Sequence, residues 1–331
     1  MFAFLASLAV CCSCAGAADD LLTIHELNFN TTDGDASAYA DQVVDCAGGI
    51  VVGKFAGWRP RVILYDPTYA DGWRAIQVKD WTVGDLFDQV MLGDWIELYS
   101  MEVEEFRGNT MLQWYTENSP GFLKISSGHD LPLPLPVSVA DIPAPIEHPY
   151  DEWYVENHGA EFLEATVLLI RDVTVTRKDL GKAVDNYNLQ DVDGNDCWAA
   201  DYMNEDVQAS GYHEFVKVGQ HFCAVIGLFE QYTYLMNGWD YYQLITRTTG
   251  DLGICGDGDM SGFVDLSDFP RFNECLTGPR CEDSERGCYP PAWMEAPLSL
   301  PLRHCLMMDL DYDGDVDSAD FAELQALYGE L

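Results

Sequence analysis

The stretch MLGDWIELYSMEVEEFRGNTMLQW, residues 91–114, decides the fold. From Trp95 onward it is rich in aliphatic and aromatic residues that partly alternate with polar ones, the period-two signature of a β-strand. The turn residues Arg107-Gly108-Asn109 break the run, and a second apolar run follows. The pattern returns at residues 217–245 as KVGQHFCAVIGLFEQYTYLMNGWDYYQLI. Upstream of the two copies lie VILYDPTYADGWRAIQV, residues 62–78, and YNLQDVDGNDCWAADYM, residues 187–203. In each, an Asp precedes a Trp by seven residues (Asp66 and Trp73, then Asp191 and Trp198). Gly93 and Gly219 then open the long runs. The spacing predicts a duplicated β domain with an offset of about 125 residues rather than a short-period solenoid. FLEATVLLIRDVTVTR, residues 162–177, is a further strand. Long amphipathic helices are scarce before residue 265, so the chain is expected to be mainly β, built from two small barrels.

The pattern of the two long runs resembles the closing strands of OB-fold domains in exported bacterial proteins. That resemblance implies two OB-like barrels, at residues 18–130 and 150–250, each able to hold an oligosaccharide or oligonucleotide on a sheet face and its loops. Trp73, Trp81, Trp198 and Trp239 are then candidates for stacking on sugar rings, with barrel-core packing as the alternative for each. Between the barrels, residues 131–149 carry six prolines and are expected to form an extended spacer.

Composition narrows the function classes. With 331 residues, 48% of them hydrophobic, the chain can bury a sizeable core and form two or three domains. Its 56 acidic residues against 17 basic ones give a formal charge of −39. Such a field repels phosphate backbones, so no nucleic acid is expected as a partner, while cations are attracted. The first twenty residues hold an apolar run too short to span a bilayer, followed by the small-x-small pattern Ala15-Gly16-Ala17. Residues 1–17 are therefore expected to be a signal peptide, with a buried first helix as the alternative. No later run is long enough for a membrane span. Cleavage leaves eight cysteines, an even number, which points to a secreted, disulfide-bonded protein. Five of them follow residue 250; Cys275, Cys281, Cys288 and Cys305 allow three pairings, and the sequence does not choose among these.

The carboxyl end gives the sharpest chemistry. DLDYDGDVDSAD, residues 309–320, would set repelling carboxylates side by side without a compensating cation. A calcium loop takes oxygen ligands at positions 1, 3, 5, 7, 9 and 12, with Gly at 6. Asp309, Asp311, Asp313, Asp315, Asp317 and Asp320 fill those positions around Gly314, Asp315 serving through its backbone carbonyl. DGDMSGFVDLSD repeats the arrangement with Asp257, Asp259, Ser261, Phe263, Asp265 and Asp268 around Gly262. A helix signal follows each loop, FPRFNECL and FAELQALYGEL. Two Ca²⁺ sites are expected.

Tandem loop–helix units with Asp at position 12, and no helix before the loop, resemble dockerin domains. The fold class expected is thus mainly β with a small α module at the C-terminus, residues 251–331. The resemblance implies a cohesin-like module or a cell-surface component as partner. Positions 10 and 11 are Leu266-Ser267 and Ser318-Ala319, where the familiar dockerins carry Ser-Thr, so a purely structural calcium module is equally compatible. No H-E-x-x-H pair, nucleophile elbow or phosphate-cradling loop occurs. The reading is an extracellular, non-catalytic, calcium-binding scaffold, with possible oligosaccharide binding; the alternative is a secreted hydrolase acting on polysaccharide or phosphodiester through the barrels.

Overall fold

A computed structural model of the chain describes residues 21–29, 36–56, 60–69, 72–80, 86–147, 159–180, 186–204, 216–234, 238–259, 261, 263–276, 305, 307–311 and 316–328. The expected signal peptide, Trp81, Cys281, Cys288, Gly262 and residues 312–315 lie outside them.

The first barrel starts with a short helix, α1 (Ile24–Asn28). Thr23 and Glu26 form a capping box at its start, which lets Ile24 and Leu27 turn into the core. Five strands follow: β1 (Val43–Phe55), β2 (Arg61–Tyr65), β3 (Ala75–Asp80), β4 (Trp95–Phe106) and β5 (Asn109–Trp114). Their order is β1-β2-β3-β5-β4, and β4 pairs back onto β1, which closes the barrel. All pairs are antiparallel except β3–β5. Closure requires β1 to serve two partners, β4 along its whole first half and β2 beyond Ile50. Register shifts near Cys46 and Val51 provide the necessary coil. Gly48 sits at φ +64°, where a Cβ would meet the Ile96 carbonyl oxygen at 1.8 Å, so only glycine fits this crossing. Strand β6 (Gly121–Ser126) adds an edge beside β4.

The same plan is repeated. Strands β7 (Leu135–Pro136) and β8 (Ile146–Glu147) precede β9 (Val167–Leu180), β10 (Asn186–Gln190), β11 (Asp196–Ala200), β12 (His221–Tyr234) and β13 (Trp239–Ile245). The order β9-β10-β11-β13-β12, closed by β12–β9, matches the first barrel strand for strand, including the parallel third-to-fifth pair β11–β13. The duplication read from the sequence is therefore one of topology, and each unit has the five-stranded Greek-key plan of an OB barrel.

The proline-rich segment differs from a free spacer. β7 pairs with β9, β8 pairs with β13, and Val139 and Ile142 are buried in the core of the second barrel. Prolines are tolerated there because these short strands lie at sheet edges, where a missing N–H costs no ladder bond.

Period two explains how the barrels meet. Val51, Val62, Leu64, Ile76 and Val78 point into the first barrel. Their neighbours Ile50, Val52, Phe55, Ile63 and Ala75 point outward and are equally buried. They pack on Ala165, Met203, Leu228 and Ile245 of the second barrel. A polar layer lies beside this apolar one. Arg61 donates to Gln77 at 2.6 Å and to Glu230 at 2.9 Å. Glu230 also accepts from the Tyr202 hydroxyl at 2.6 Å and from Gln243 at 2.8 Å. The β4–β5 turn completes the seam: the Thr233 N–H donates to the Arg107 carbonyl at 2.8 Å, and Arg107 stacks over the Tyr234 ring at 3.6 Å. The Asn109 side chain and the Gln231 backbone exchange both hydrogen bonds, as a strand neighbour would.

Arg61 is the guanidinium that offsets a carboxylate buried to 3% exposure. Removing one member of such a pair leaves the other charge uncompensated. Arg61→Met is expected to lower unfolding stability by about 3 kcal/mol, and Arg61→Met with Glu230→Gln to recover most of that loss. Urea denaturation of the three proteins checks both.

Candidate metal centre

The second barrel leads directly into the loops. Strand β14 (Leu252–Gly253) pairs with β12 at Ala224 and Val225. A disulfide then joins Cys223 on β12 to Cys255. The two loops feed helices α2 (Phe269–Cys275) and α3 (Ser318–Leu327). A second disulfide, Cys275–Cys305, ties the end of α2 to the start of the second loop. Phe272, Val316, Leu324 and Met308 share one small core with Cys223 of the barrel. Phe321 lies 5.6 Å from Phe272, ring to ring, and the Tyr328 hydroxyl donates to the Asp265 carbonyl at 2.6 Å. The loop–helix units thus pack on each other and on β12. Cys46 and Cys197 are buried free thiols, one in each barrel, so the even cysteine count does not translate into complete pairing. Burial pushes the Cys46 thiol up to about 12, which makes it inert at neutral pH.

The twelve sequence positions divide into three groups. The first and third residues of each loop converge with the twelfth: Asp257, Asp259 and Asp268 in one, Asp309, Asp311 and Asp320 in the other. In each triad one carboxylate oxygen per residue lies within 4.8 Å of the others. Of the ninth residues, Asp317 caps α3, accepting from the Ala319 N–H at 2.6 Å, and Asp265 closes a turn ahead of α2, accepting from the Ser267 N–H at 2.7 Å. The Ser261 hydroxyl donates to the Phe263 carbonyl at 3.2 Å. Asp313 and Asp315 belong to the residues not described.

The position-12 carboxylates are held in the same way in both loops. Asp268 accepts from the N–H of Asp259 at 3.1 Å and of Asp265 at 2.7 Å. Asp320 accepts from the N–H of Asp311 at 3.2 Å and of Asp317 at 2.8 Å. These are equivalent loop positions, so one internal scaffold aims both carboxylates. Asp257, Asp268, Asp309 and Asp320 are buried, whereas Asp259 and Asp311 are open to solvent. Burial raises the pKa of Asp268 and Asp320 above the ordinary carboxylate range, against the opposing hydrogen bonds from their loops. A bound divalent ion would offset that desolvation, so the residues fit an oxygen-ligated cation.

The loops differ at one contact that the sequence does not announce. Arg171, projecting from β9, forms an ion pair with Asp309 at 2.9 Å. The second loop is therefore anchored to the barrel electrostatically, whereas the first is anchored covalently through the Cys223–Cys255 bridge. Of the tryptophans considered for sugar stacking, Trp198 is fully buried, 4.3 Å from Tyr241 ring to ring. Trp73 sits within a partly buried group of His25, Phe29 and Phe162, and Trp239 is half-buried beside Tyr232.

No protein-family model and no curated protein sequence matches the chain. Among solved structures it is similar to the OB domain of a Methanosarcina mazei protein, at 17% identity over 27% of this chain and 78% of that one, with a TM-score of 0.23. It is also similar to Schizosaccharomyces pombe Pot1pC bound to ssDNA, at 9% identity over 30% of this chain and 88% of that one, with a TM-score of 0.23. A third is a murine DNA-binding protein bound with dsDNA, at 12% identity over 61% of this chain and 90% of that one, with a TM-score of 0.30. The expectation that nucleic acid is excluded as a partner is corrected by these DNA-bound chains. Net charge describes the whole surface, whereas OB barrels engage strands through a local groove and stacked rings, so a charge of −39 is no ground for exclusion.

Reducing the disulfides is expected to destabilise the tail by about 2–5 kcal/mol while the barrels stay closed. Hydrogen exchange should then accelerate in residues 263–276 and 316–328 but not in β4, β5, β12 or β13.

Proposed function

We propose that the chain is an extracellular, non-catalytic binding or scaffolding protein whose C-terminal tail is a dockerin-like pair of calcium loops. The observation that carries this reading is the double triad: two loops, separated by forty residues of sequence, bring the carboxylates of positions 1, 3 and 12 together in the same way. Calcium is the ion that fits best. The donors are carboxylate and carbonyl oxygens, with Asp259 and Asp311 open to solvent, and magnesium demands a tighter octahedron and keeps more of its water. Two disulfides support an oxidising compartment.

The proposed partner is a cohesin-like module or another cell-surface component, docking on the first loop and its helix. Phe263, Leu266 and Phe269 support that choice, since all three are exposed, Leu266 to 83%. Leu266 stands at position 10, where the resemblance places partner contacts. In this arrangement the barrels are the cargo and the tail is the attachment, stiffened by its cations.

Calorimetric titration of the full chain with calcium is expected to show two sites of micromolar to millimolar affinity, with Asp257→Ala and Asp309→Ala each removing one. A single site, or heat unchanged by both substitutions, contradicts the proposal. Arg171→Met should matter most without the ion. In chelator it removes the ion pair to Asp309 and exposes residues 316–328 to hydrogen exchange, and added calcium should restore protection. Equal protection of the variant and the parent protein in chelator would count against an anchoring role.

A further inference from the structure

The seam holds more acid than its visible cation neutralises. Glu164 lies between the 3₁₀ turn Glu161–Leu163 and β9, at 6% exposure. This lead-in segment is wedged against the first barrel, because the Trp73 N–H donates to the Phe162 carbonyl at 2.9 Å. The Thr110 N–H, from β5 of the first barrel, donates to Glu164 Oε2 at 3.3 Å. Glu164 Oε1 is buried with no hydrogen-bond partner.

Three other carboxyls act on it through their charge: Glu161 on the same turn, Glu105 on β4 and Glu230 on β12. Each has its own donors. Glu161 accepts from the Tyr242 hydroxyl at 3.0 Å. Glu105 accepts from the Ser37 N–H at 2.7 Å and the Thr110 hydroxyl at 2.8 Å. Glu230 holds Arg61, which also donates to Gln77. Burial first, then the charges of Glu161 and Glu105, drive the Glu164 pKa well above the ordinary carboxylate range. A metal ion does not fit this cluster: among the described residues, only the two tail triads bring three such oxygens within 4.8 Å of one another.

We propose that a proton on Glu164 is the latch of the seam: the barrels stay docked while this carboxyl is neutral, and they loosen when it ionises. In the docked state the group keeps its proton at a pH where the same group, exposed to water, has lost it. Docking is therefore fully supported below the ordinary Glu pKa of about 4.3 and weakens as pH rises toward the raised, docked value. Between those limits the ratio of loosened to docked molecules rises about tenfold per pH unit. Loosening uncovers the outer face of β2 and β3, with Arg61, Ile63, Gln77 and Lys79, which is the face OB barrels present to ligands. The latch is independent of the calcium loops.

The test uses the full chain with calcium in excess, from about pH 6 to pH 9.5. Hydrogen exchange at the seam amides of Gln231 and Thr233 is read against amides inside the β4–β5 pair, so that the intrinsic pH dependence cancels. Relative protection in the parent protein is expected to fall about tenfold per pH unit over part of the range, with an increase in radius of gyration by small-angle scattering. Glu164→Gln, a permanent mimic of the neutral acid, should give a flat profile. A flat profile for the parent protein, or the same slope in the variant, overturns the proposal. Should Glu164→Gln fail to fold, infrared spectroscopy of the ¹³C-Glu-labelled parent decides alone: a buried protonated-carboxyl stretch at the acid end of the range that bleaches with loss of seam protection is expected, and its absence there overturns the latch.

Discussion

The molecule depends on the outward face of β1, β2 and β3 being as apolar as the inward one. A barrel of five short strands can bury only one face in itself. The second face, Ile50, Val52, Phe55, Ile63 and Ala75, must be covered by something else, and the second barrel covers it. That requirement docks the two similar units against each other. It also brings charged groups into a dry layer, where Arg61 and Glu230 tolerate burial as partners, with Tyr202 and Gln243 also donating to the carboxylate. The β4–β5 turn, a loop that would ordinarily be free to grip a ligand, is used instead to clasp β12.

Much of this was legible from residues 91–114 and their copy. Period-two patterning located the strands, and the repeated Asp, Trp and Gly positions announced two equal units. The loop spacing likewise singled out Asp257, Asp259 and Asp268, and their counterparts Asp309, Asp311 and Asp320, whose carboxylates lie together in two clusters. What spacing could not separate was ligand from cap. Asp317 satisfies a calcium-loop position and a helix N-cap equally well, and its carboxylate caps α3, whereas that of Asp265 closes a turn onto the Ser267 N–H ahead of α2.

The seam was hidden for a different reason. It joins residues such as Arg61 and Glu230, 169 positions apart, and no local pattern encodes that distance. One signal did exist. Residues 50–52 and 62–64 are apolar at consecutive positions rather than alternating, which means burial on both faces. The proline-rich segment misled in the opposite direction: its composition reads as linker, yet Val139 and Ile142 are core residues. Bulk charge misled as well, because a whole-chain sum carries no information about any one groove.

The threading of that segment has a practical consequence for anyone dissecting the protein. The natural place to cut, judged by composition, is the end of the prolines near residue 150. A fragment begun there would lose β7, β8 and both apolar plugs, leaving edges of β9 and β13 unpaired and a hole in the remaining hydrophobic interior. Bare strand edges beside exposed aliphatic side chains invite intermolecular pairing. The isolated second half should therefore be taken from before Leu135, so that it carries its own wrapping.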